Sequence, residues 1–126
     1  MIFFSVVVSP SVFASLNSKG SSRFLRTIFP RMFLFGFFIS LIALILTILS
    51  NDLINSVVLV IIGLSFLINR NYLTPLINNF RDQELEGDSK AAKNFKIMHL
   101  LSVLLFIINF FLLILVIVLN YINYNL

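Results

Sequence analysis

Hydrophobic residues in this chain gather in long unbroken runs, with no strand-like alternation. Met32 to Ser50 is one run without a charge, and Leu53 to Asn69 is a second. Ile97 to Asn120 is the longest, and its only ionisable member is His99, near one end. A helix rises 1.5 Å per residue, so about 20 residues cross a hydrocarbon core of about 30 Å. Each of these runs therefore predicts a membrane-crossing helix. The second and third helices, about 31–50 and 53–80, are joined by Ser50, Asn51 and Asp52. So short a link forces an antiparallel hairpin, with one of those residues as the N-cap of the later helix.

The pattern at the N-terminus is less regular. Met1 to Leu16 is apolar, but Ser9-Pro10-Ser11 interrupts it and it falls short of a full crossing. Val12-Phe13-Ala14 has the small-residue look of a signal-peptide cleavage site, yet no basic stretch precedes it. An interfacial or re-entrant segment is a second reading. The preferred reading is a helix of about 1–16 whose start lies upstream of Met1.

Beyond the third run, Leu73, Leu76, Ile77 and Phe80 recur at helical spacing. They predict that the third helix continues outside the membrane as an amphipathic arm, kinked at Pro75. Gly87 reads as a helix stop, and Asp88 or Ser89 as the N-cap of a last helix over about 89–120. Upstream, Arg23 to Phe29 reads as a short amphipathic turn leading into Pro30 and the second helix. The chain is thus expected to be a single membrane domain, 1–126. Its fold class is all-α, an integral membrane bundle of four helices with a short first helix.

Composition excludes the alternatives. Hydrophobic residues make up 60% of the 126 and charged residues 11%, with mean hydropathy +1.06. Soluble domains are about 45–50% apolar and about 25% charged. Charge then orients the bundle. Lys19, Arg23, Arg26 and Arg31 lie between the first and second runs. Arg70, Arg81, Lys90, Lys93 and Lys96 lie between the third and fourth. These are all nine basic residues; the hairpin turn and the C-terminal tail have none. By the positive-inside rule both basic loops are cytoplasmic, with four crossings and both termini outside. The net charge of +4 thus reflects membrane orientation, and no nucleic-acid partner is expected. Lys90, Lys93 and Lys96 are placed to reach anionic lipid head groups. The expected location is a bacterial inner membrane.

Chemistry-bearing constellations are few. Asp82 to Gly87 opens like a calcium-binding loop, but the twelfth position, which needs a bidentate Glu, is Lys93. The chain has no Cys and one His, so no metal or cofactor is expected. Gly36, Ser40, Ala43 and Thr47 form a stripe of small residues, read as a packing seam in preference to a polar path. Ser102 and Asn109 share a face of the last helix, and His99 lies about 60° away at 3.6 residues per turn. The sharper reading is a polar pocket with His99 as ligand or proton carrier; the plainer one is a set of hydrogen bonds tying helices together. No nucleophile with its base is present, so an enzyme is not expected.

Several segments resemble one family. Phe3-Phe4-Ser5-Val6-Val7-Val8-Ser9-Pro10-Ser11-Val12-Phe13, Phe29-Pro30-Arg31-Met32-Phe33, Asn69-Arg70-Asn71-Tyr72-Leu73-Thr74-Pro75 and Phe95-Lys96-Ile97-Met98-His99-Leu100-Leu101-Ser102 occur in this order. In order and spacing they resemble the transmembrane-protein-205-like family of unknown function. The resemblance implies a four-helix membrane protein whose first helix starts further upstream. It carries no catalytic role; Pro10, Phe13, Arg31, Arg70, Pro75, His99 and Ser102 fall on its motif positions. The expected function is accordingly a non-enzymatic role in helix packing or partner binding, including self-association. The alternative is small-solute or ion transport, or ligand binding, through His99, Ser102 and Asn109.

Overall fold

The computed structural model describes Phe3 to Asn125, and the described residues are almost all helical, with no strand among them. A π-helical turn, Phe4–Val8, leads into α1, Ser9–Ser15. α2 is Ser18–Leu49, α3 is Leu53–Leu85 and α4 is Ser89–Asn125. α2, α3 and α4 are each long and apolar enough to cross a membrane, which makes this a membrane protein. At 1.5 Å per residue each is about 50 Å long, so each outruns the hydrocarbon core.

The hairpin forms where the polar turn predicts it. Asp52 is the N-cap of α3: its carboxylate accepts from Asn55 N–H at 3.1 Å and from Asn55 Nδ2 at 2.7 Å. Asn51 supplies the reversal at φ +56. At the other end, Gly87 turns the chain at φ +100, a conformation that costs glycine little. Asp88 Oδ1 then accepts from the N–H groups of Lys90 and Ala91.

α2 corrects the expected boundary. It begins at Ser18 and passes through Pro30 without a break, so no separate turn spans Arg23 to Phe29. Two local causes are visible. Asn17 caps the earlier start, its Oδ1 accepting from Gly20 N–H at 2.8 Å. Phe29 and Phe33 stack across the proline with centroids 6.3 Å apart, and both pack into the core. A proline inside a helix costs about 3 kcal/mol, and here packing on both sides of it offsets that loss. The other limits also lengthen: α3 continues to Leu85 and α4 past Asn120.

α2 packs along the first half of α3 around Phe33, Leu59, Ile62 and Phe66. The stripe on α2 faces this interface. A Cβ on Gly36 would touch the Phe66 ring, Ser40 Oγ lies against Gly63, and Ser56 Oγ donates to Thr47 Oγ1 at 3.0 Å. The second half of α3 packs instead on the start of α4, with Leu73 and Ala91 buried. α1 touches α2 lightly, where Ser21 Oγ reaches the carbonyls of Val12 and Leu16.

Candidate functional site

A polar part of the interior is built on a π-helical turn, Asn69–Leu73, in the middle of α3. The sequence places a proline two residues beyond it, at Pro75. Proline lacks an N–H, and its ring collides with the carbonyl four residues back. One extra residue in the preceding turn moves that carbonyl aside. Thr74 N–H accordingly bonds the carbonyl of Asn69, five residues back, and Thr74 Oγ1 donates to the same oxygen at 2.7 Å. The expected kink at Pro75 thus takes the form of a widened turn. Pro10 stands two residues beyond the π turn Phe4–Val8 in the same way.

The widened turn presents Asn69 to α4. Asn69 is fully buried, and its Oδ1 accepts from Ser102 Oγ at 2.6 Å. Antiparallel packing then sets the register. Asn69, Ile62 and Asn55 recur every seven residues on α3, as Ser102, Asn109 and Val116 do on α4. Seven residues are two turns, about 10.5 Å. With Ser102 on Asn69, Asn109 falls at the level of Ile62, and Val116 at that of Asn55. Ile62 is fully buried and Asn109 is 2% exposed. Only the rung at Asn69 matches polar with polar. The Nδ2 atoms of Asn69 and Asn109 have no hydrogen-bond partner, nor does Asn55 Oδ1.

Of the residues singled out in the sequence, Ser102 and Asn109 share this face. His99 does not join them. It is exposed, and its ring stacks on Phe95 at 5.8 Å, with the Arg81 guanidinium 5.4 Å from the same Phe95 ring. Among the motif positions, Phe13, Arg31 and Pro75 are exposed. Arg70 is half-buried and donates to Asn71 Oδ1 at 3.0 Å. Lys90, Lys93 and Lys96 are all exposed.

Asn69 is not among the residues that the sequence singles out. Its signal is the seven-residue phase that it shares with Asn55 and Ile62, together with a proline shortly downstream. A second unanticipated contact ties α2 to the arm of α3. Arg26 makes a two-pronged ion pair with Asp82, one prong at 3.0 Å. Hydrogen bonding to the guanidinium holds the Asp82 carboxyl below its ordinary range, and the carboxylate in turn raises Arg26.

No group of three or more His, Cys, Asp or Glu residues suited to a metal occurs among the described residues. Neither a curated protein nor a solved structure matches the chain. The family model described as a domain of unknown function (DUF4149) matches residues 1–86, from the N-terminus to the end of α3, and the chain belongs to that family.

Proposed function

We propose that this membrane protein works by helix packing, with a second copy of itself or with a membrane partner, and catalyses no reaction. The observation that carries this reading is the use of its interior polar groups. Ser102 to Asn69 and Ser56 to Thr47 are bonds from one helix to another. We read the chain as one domain, 1–126, of the bacterial type that resembles the transmembrane-protein-205-like family. On this reading it sits in the inner membrane with its basic ends in the cytoplasm. All nine basic residues lie away from the α2–α3 hairpin turn, which supports that orientation. Lys90, Lys93 and Lys96, exposed at the start of α4, are then placed at anionic head groups.

Two measurements test it. Reporter fusions after residues 20 and 88 are expected to read cytoplasmic, and one at 126 external. A cytoplasmic C-terminus contradicts this topology. Separately, His99→Ala and Asn109→Ala are expected to alter assembly or thermal stability. Loss of a specific solute flux with assembly intact contradicts the packing role.

The unpartnered amides of Asn69 and Asn109 favour a second reading, in which the Ser102–Asn109 face binds or passes a small solute or ion, with His99 at its edge. It predicts pH-dependent uptake or binding that His99→Ala removes. Unchanged flux and binding in that variant exclude it.

A further inference from the structure

The hairpin end of the bundle holds a cavity of about 270 Å³ between the ends of α2 and α4 and the start of α3. Its polar wall is Thr47, Ser50, Asp52 and Asn120. The hydrogen bonds on this wall all run inward. Thr47 Oγ1 donates to the Leu44 carbonyl at 3.0 Å, and Ser50 Oγ to the Leu46 carbonyl at 3.0 Å. Asn120 Nδ2 donates to the Val116 carbonyl at 2.9 Å. Asn55, one turn from Asp52 and one turn from Leu59, gives its Nδ2 to the Asp52 carboxylate. Both hydroxyl hydrogens are therefore spent on backbone, and the wall is left with oxygen lone pairs and one remaining N–H of Asn120.

Acceptor capacity is unmet on the wall at Asp52 and behind it at Asn55, the hydrogen-bond partner of Asp52. Asn55 is fully buried, and its Oδ1 has no partner. Each Asp52 oxygen takes one bond from Asn55 and keeps a further lone pair. Asp52 is also the only acid at this end, since the other four lie between Asp82 and Asp88. A wall rich in acceptors, whose one formal charge is the Asp52 carboxylate, calls for a cationic donor. The opposite wall, which includes Leu59 and Val116, is apolar. A bare metal ion demands oxygen all round, whereas an organic ammonium uses both surfaces.

We propose that this cavity binds an alkylammonium group, with Asp52 as its counter-ion and Leu59 and Val116 against its carbon. Such a group is available as a free amine or as the head group of phosphatidylethanolamine.

The test uses the full chain in detergent, titrated with ethanolamine and followed by the side-chain amide signals of Asn55 and Asn120. Saturable shifts are expected. Asp52→Asn keeps an N-cap residue but removes the charge, so the hairpin stays formed. It is expected to weaken binding about tenfold, equivalent to about 1.4 kcal/mol. Val116→Phe fills the apolar wall, leaves Asp52 in place and is expected to abolish the shifts. Native mass spectra from an equal mixture of phosphatidylethanolamine and phosphatidylglycerol separate the sources. Selective retention of phosphatidylethanolamine, lost in Asp52→Asn, identifies the lipid; ethanolamine binding without that selectivity identifies a free amine. The proposal is overturned if wild type binds neither, if Asp52→Asn binds equally, or if Val116→Phe binds unchanged.

Discussion

A Cβ added at Gly36 would stand 2.8 Å from Phe66 Cζ, and one at Gly63 would stand 3.1 Å from Ser40 Oγ. The first neighbour is a ring locked in the core, 4% exposed. The second is a hydroxyl that already donates to the Phe37 carbonyl and has little to give up by shifting slightly. In lipid the hydrophobic effect does not hold α2 to α3, so close approach has to do so. Gly36→Ala is therefore expected to destabilise the hairpin by about 1–3 kcal/mol, and Gly63→Ala by clearly less. Unfolding in mixed detergent micelles measures the difference; equal losses would show that Phe66 can move. Ser102→Ala tests the neighbouring interface. It leaves Asn69 fully buried with no partner at Oδ1, for an expected loss of about 0.6–2 kcal/mol in the same assay. The stripe was legible in the sequence because small residues at steps of four and three announce a seam. Its partners were not, because spacing on one helix says nothing about the register of the next.

At the level of whole elements, local chemistry made the turns readable. Asp52, Gly87 and Asp88 take the roles that their side chains or lack of one dictate. Pro30 and Pro75 were harder, because the same residue type is handled in two ways. α2 absorbs Pro30 through the packing of Phe29 and Phe33, while α3 widens a turn ahead of Pro75. That choice depends on neighbours remote in sequence, as does the role of Asn69. The widened turn makes a sharp prediction. Pro75→Ala removes the ring that forces the turn open; closing it to ordinary helical spacing with no residue removed rotates the residues beyond it by about 100°. Asp82 is then carried away from Arg26. Cross-linking between cysteines placed at 26 and 82 is expected to fall sharply in the Pro75→Ala variant; unchanged cross-linking would mean that the arm finds its place independently of the turn.

For the molecule as a whole, the Arg26–Asp82 pair is the long-range tie between α2 and the arm. Asp82 is exposed, so the tie is weak and salt-sensitive. Its folded carboxyl titrates below the usual value, so the stabilisation is present above the ordinary carboxylate range. It is lost as pH falls beneath the ordinary carboxylate range and through the lowered value. Spin labels on the ends of α2 and α3 are expected to separate on acidification, and to show the wider distance at neutral pH in Asp82→Asn. A pH-independent distance would mean that packing alone holds the arm.

The length of the helices divides the molecule between two solvents. Near the hairpin, α2 and α3 meet in lipid, where burying a side chain expels no water. From the last residue of the widened turn onward, the arm and the start of α4 meet in water, where burying Leu73 and Ala91 does expel it. Association in water carries a heat-capacity change and weakens on cooling, whereas packing in lipid lacks that term. One set of continuous helices is thus governed by two thermodynamic laws. Cooling loosens the arm from α4 while the membrane hairpin stays closed, so temperature alone can uncouple contacts that share the same backbone.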